Sequence, residues 1–107
     1  MAFGSTVDVT RKHNLSMEYV KQCAILIATD MSNKYGINYR FDGQNIVFDT
    51  PSGAAKGTTG RLDITNSSIR IKIILPIMLY AFKGSVEETV NEKFDEFFGP
   101  DKKWILV

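Results

Sequence analysis

The chain has 107 residues and carries 13 Lys and Arg against 12 Asp and Glu, a formal net charge of +1. That length suits one domain with one core, and the charge balance lacks the overall basic field that nucleic-acid binding draws on, so no nucleic-acid partner is expected. An apolar content of 44% excludes disorder throughout, and a single cysteine, Cys23, excludes an intrachain disulfide.

Thr6 to Arg11 alternates apolar and polar residues with Val7 and Val9 on one face, the pattern of a short half-buried strand. Ser16 is a favourable N-cap, and Glu18 puts negative charge in the first turn, where the helix dipole favours it. Met17, Val20, Cys23, Ala24, Ile27 and Met31 then recur at spacings of three and four, which predicts a helix from Met17 to Lys34 with Gly36 just past its end. Ile25, Leu26 and Ala28 widen that stripe and predict burial on more than one side. Ile37, Tyr39 and Phe41 alternate again, Asp42-Gly43 makes a hairpin turn, and Ile46 and Phe48 continue the face on the return strand to Asp49. Pro51-Ser52-Gly53 breaks the pattern. Leu62 and Ile64 resume it, Asn66-Ser67 turns it, and Ile69, Ile71, Ile73 and Leu75 form the longest alternating run.

Pro76 ends that strand because it has no N–H to donate, and its fixed φ suits a helix start. Leu79, Phe82, Val86, Val90, Phe94 and Phe97 step by three or four, which predicts one helix running on to Phe98. Gly84 inside it costs roughly 1 kcal/mol relative to alanine, so close packing or a kink is expected there. The chain finishes on the apolar tail Trp104 to Val107, the kind of surface that docks on a sheet edge or on a second copy, so a homodimer is one expected arrangement.

The element order is β-α-β-β-β-β-α. Strands joined by short turns read as an antiparallel meander. The expected fold class is α+β: a five-stranded, mainly antiparallel sheet with two helices packed on one face, a helix-grip-like two-layer sandwich. One domain spans residues 1–107, with its ordered core over residues 6–98 and the apolar tail over 99–107. Parity puts Val7, Val9, Tyr39, Phe41, Ile46 and Phe48 on the covered face and Arg40, Arg61, Asp63, Arg70 and Lys72 on the other.

Reactive constellations are scarce. His13 is the only histidine, so no two-histidine metal site can form, and neither a metal nor a cofactor is expected. Cys23, beside Ala24 on a helical stripe, reads as a small buried hydrophobe. Gly53 to Gly60 has the glycines of a phosphate loop, but its lysine does not follow the second glycine and a strand comes next, so an irregular turn is expected. The run Ile73 to Phe82 is far short of the roughly 20 apolar residues of a membrane span. Met1 to Asp8 shows no basic region followed by an apolar core, so a cytoplasmic location is expected. Ile77, Met78 and Tyr80 fall off the main stripe of the second helix, where they can form an exposed apolar patch.

The string Leu75-Pro76-x-x-Leu79-x-x-Phe82-Lys83-Gly84-x-Val86-Glu87, with Arg11-x-His13-x-Leu15 before it and Gly57-x-x-Gly60-x-Leu62-x-Ile64 between, resembles the bacterial polyhydroxyalkanoic acid system proteins. The resemblance runs from about Asp8 to Phe98. It implies a setting, polyester granule metabolism or surface, and no catalytic residues come with it. The expectation is therefore a non-enzymatic accessory protein that binds the granule surface or a granule protein through Ile77, Met78, Tyr80, Phe82, Lys83 and Gly84, with Arg11 and His13 as secondary positions. The alternative is a small-ligand carrier that holds a hydroxyacyl or fatty-acyl chain between the sheet and the C-terminal helix, with Gly84 making room.

Overall fold

The computed structural model describes residues 6–98; the expectations for the tail Trp104 to Val107 lie outside the described residues. Its elements are β1 (Thr6–Lys12), α1 (Met17–Tyr35), β2 (Asn38–Asp42), β3 (Asn45–Asp49), β4 (Thr59–Ile64), β5 (Ser68–Ile74), a 3₁₀ segment (Ile77–Phe82) and α2 (Lys83–Phe98). The five strands form one antiparallel sheet in the order β1-β5-β4-β3-β2, so the fold class is the expected α+β.

Alternation within each strand decides the faces. Val7, Ile46, Leu62, Ile64, Ile69 and Ile71 are almost wholly buried beneath the helices, where Val20, Ala24, Ile27, Val90 and Phe94 meet them. On the outer face Arg70 donates to both carboxylate oxygens of Asp8, with Nε to Oδ1 at 2.8 Å, and Arg61 Nε donates to Asp63 at 2.8 Å. A solvated face of ion pairs beside an apolar face is what an antiparallel sheet covered on one side requires.

α1 starts where the capping chemistry puts it. Ser16 Oγ accepts from the Tyr19 N–H at 3.1 Å, and at the other end Gly36 adopts φ 75° while its N–H donates to the Ser32 carbonyl at 2.9 Å. The left-handed backbone there is the reason a glycine ends this helix. Leu26 is 55% exposed, so α1 buries one side only, because nothing described packs against its outer surface. Phe41 is 51% exposed despite its parity. It lies on edge strand β2 beside the hairpin tip, paired with Ile46 of β3, and no described strand lies on its other side.

The second helix is split. Pro76 is followed by the 3₁₀ segment, and the α-helix begins at Lys83, one residue before Gly84. A side chain at Gly84 would meet nothing within 4 Å, so the expected close packing is absent. The break in helical type stands at Phe82–Lys83 instead.

Candidate functional site

The strand register fixes two ends of the sheet. Thr6 pairs with Ile74, Thr59 with Ile74, and Asn38 with Asp49, so the 3₁₀ segment, the end of α1 and the β3–β4 loop share one end. Lys12 pairs with Ser68 at the other end, with His13 just beyond it. Along the seven residues of β5 the two ends are about 20 Å apart at roughly 3.3 Å per residue. The candidate residues of the 3₁₀ segment and the pair Arg11 and His13 are therefore not one site.

Both nitrogens of His13 are engaged. Nδ1 accepts from the Leu15 N–H at 3.1 Å, and Nε2 carries the ring hydrogen and donates to the Thr65 carbonyl at 3.1 Å. Arg11 donates to Asp95 Oδ1 at 2.6 Å and to Asn91 Oδ1 at 3.0 Å, and its guanidinium carbon lies 6.0 Å from the centre of the Phe94 ring. These two side chains fasten β1 and the entry to α1 onto the β4–β5 turn and α2. Cys23 is buried, and burial pushes its thiol up, away from the reactive thiolate.

At the other end lies an exposed apolar corner. Ile77 is 78% exposed and Met78 89%. Phe82 is exposed beside them, Tyr80 and Lys83 are half-buried, and Gly84 is exposed. A 3₁₀ helix has three residues per turn, so positions 77 and 78 turn outward while Leu79 and Phe82, three apart, share the inner side.

Behind that inner side is a cavity of about 350 Å³. Its floor is Phe48, Ile71 and Ile73 on the sheet; Ile27 and Met31 of α1 and Val86, Val90 and Phe94 of α2 form its walls; Leu79 and Phe82 close its end. The exposed members of its lining, Lys34, Tyr35, Ala54, Phe82 and Ser85, mark the mouth, next to the apolar corner. Asp30 lies in the wall between two ammonium groups, 2.9 Å from Lys93 Nζ and 3.5 Å from Lys34 Nζ, and the Lys93 hydrogen bond holds its carboxyl below the usual range.

Two of the lining residues carry a fully buried side-chain oxygen with no partner among the described residues. Thr50 is 3% exposed and Thr58 7%, and neither Oγ1 has a hydrogen-bond partner. The residues flank the neck of the β3–β4 loop, where the Gly57 N–H donates to the Thr50 carbonyl at 2.9 Å. Neither threonine was among the sequence candidates. Their signal was parity: Thr50 follows Ile46 and Phe48 on the covered face, and Thr58 precedes Leu62 and Ile64 on it, so each is a hydroxyl at a core-facing position.

A family model described as "Putative polyhydroxyalkanoic acid system protein (PHA_gran_rgn)" matches residues 7–98. The chain belongs to this family. No curated protein and no solved structure matches the chain. The match covers nearly every described residue, so the corner, the cavity and the His13 end all fall within it. Among the described residues no helix is long and apolar enough to cross a membrane, and no group of three His, Cys, Asp or Glu side chains is placed to hold a metal ion.

Proposed function

We propose that this member of the polyhydroxyalkanoic acid system family is a non-catalytic accessory protein of polyester metabolism, working in the cytoplasm at the granule. It attaches to the granule's apolar surface through the corner formed by Ile77, Met78 and Phe82. The observation that carries this reading is the side-by-side exposure of Ile77 and Met78 at 78% and 89%. Fully burying two such side chains is worth about 1.5–3 kcal/mol each before association costs, a scale that suits reversible attachment. The engagement of both His13 nitrogens in structural hydrogen bonds supports a binding role over a catalytic one.

The test is co-sedimentation of the purified protein with amorphous polyhydroxybutyrate particles. The wild type is expected in the pellet, and the double variant Ile77→Ser, Met78→Ser in the supernatant with an unchanged circular dichroism spectrum. Equal sedimentation of the folded double variant would place the attachment elsewhere.

A further inference from the structure

The helical cover of the sheet stops short of one edge. At β1, Val7 is fully buried, and Arg11 fastens the strand to α2 by donating to Asp95 and Asn91. At β2, the cover is the flank of α1 at Thr29, whose hydroxyl lies 3.2 Å from the Tyr39 hydroxyl. Two residues along the strand, on the same face, Phe41 is 51% exposed, and Ile25, one turn before Thr29, is only half-buried. The hairpin decides which backbone groups are open. Gly43, with φ 66°, is the first central residue of a two-residue turn between Asp42 and Asn45. Such a turn closes on a hydrogen-bonded pair, and these pairs alternate with open ones along an antiparallel ladder. Arg40 and Asn38 therefore bond inward to Val47 and Asp49, while the N–H and C=O groups of Tyr39 and Phe41 point out from the edge, where no described strand lies.

An edge of this kind is a template for another strand, and its charges select which. On the outer face Arg40 is exposed and has no ion pair among the described residues; Asp42, two residues on, is exposed and 3.9 Å from Arg61. When two copies of β2 run antiparallel with Phe41 opposite Phe41, Arg40 of each stands directly opposite Asp42 of the other. Centring the pair on Arg40 instead opposes two guanidinium groups. Unlike charges directly opposite stabilise a strand pair and like charges destabilise it, and a two-fold interface needs a patch that complements itself. We propose that β2 is a dimerisation edge, pairing antiparallel with β2 of a second copy about Phe41. The Phe41 N–H of each copy donates to the Phe41 carbonyl of the other, the two rings meet on the helix face beside Ile25, and two Arg40–Asp42 pairs close the outer face. The two-fold axis keeps the helices of both copies on one face and sends the two apolar corners to opposite ends.

Sedimentation velocity over a concentration series tests this, with circular dichroism as the check on folding. The wild type is expected to pass from monomer to dimer as concentration rises. Arg40→Glu and Asp42→Lys each place like charges opposite one another, and each is expected to weaken dimerisation about tenfold or more. An equal mixture of the two variants restores unlike pairs on both sides and is expected to dimerise about as the wild type does. The Phe41 amide is expected to exchange its hydrogen more slowly as the dimer forms, and the already bonded Arg40 amide to change little. A monomer at every concentration overturns the proposal, including one whose Phe41 amide is always protected, since residues of the same chain then cover the edge. A dimer that neither charge variant weakens, or variants that dimerise no better mixed than alone, overturns it too. The Ile77→Ser, Met78→Ser variant is expected to dimerise as the wild type does, so surface attachment and dimerisation fail separately.

Discussion

Gly60 leaves room that a neighbouring ring fills. It pairs with Phe48 across β3 and β4, and a Cβ built on it would stand 2.5 Å from Phe48 Cζ and 2.5 Å from the Lys72 carbonyl oxygen. The first neighbour is a buried ring and the second is backbone, so neither yields cheaply. Gly60→Ala is expected to cost about 1–3 kcal/mol, as overpacking of a well-filled core does. With a urea slope of about 1–3 kcal/mol/M, the midpoint falls by roughly 1 M, which equilibrium unfolding checks. The same methyl drives Phe48 toward the cavity whose floor it forms. Individual residues were the hardest scale to read from sequence. That Thr50 and Thr58 face inward follows from parity with Ile46 and Leu62, but whether a buried hydroxyl finds a partner depends on the packing of two helices and a loop. Phe41 failed for a related reason: parity gives a face, and the neighbours decide whether the face is covered.

Elements were more legible than residues. Ser16 and Gly36 bracket α1 because both ends are set by local chemistry, a hydroxyl that accepts from Tyr19 and a backbone that only glycine adopts easily. The strand pairs followed from alternation and turns. The last helix differed because a three-and-four spacing cannot separate a 3₁₀ start from an α-helix over so short a stretch, and Pro76 fixes the entry without choosing between them. Gly84 shows the consequence. It sits in the first turn of α2, has negative φ and faces open space, so nothing requires a glycine there. Gly84→Ala is expected to stabilise the protein by up to about 1 kcal/mol through helix propensity and a less floppy unfolded chain. A thermal midpoint a few degrees higher checks it; a lower midpoint shows that Gly84 has a role in the free protein that its surroundings do not display.

The whole molecule carries its charge pairs where acid and alkali act differently. Arg70 beside Asp8, and Lys93 beside Asp30, hold those carboxyls below their ordinary values. Stability from these pairs is present above the unfolded carboxyl value of about 3.9 and is lost as pH falls through the lower folded values. Tyr19 works from the other side. Burial, with the Cys23 thiol adding to it, pushes its phenol from 10.0 up to about 12. The unfolded phenol ionises first, so stability falls as pH rises from 10.0 toward about 12. The thermal midpoint is expected to be level between about pH 5 and 9 and to fall on both sides. Asp30→Asn shrinks the acid step, and Tyr19→Phe the alkaline one. The register that separates the two ends of the sheet has a practical side. Thr6 lies at the end with the apolar corner, while Phe98, 6.2 Å from the His13 ring, lies at the opposite end. A fluorescent reporter attached to a side chain at position 98 is anchored about 20 Å from the corner and the mouth, at roughly 3.3 Å per strand residue. The same reporter attached at Thr6 is anchored at the end that holds both and screens them from whatever approaches.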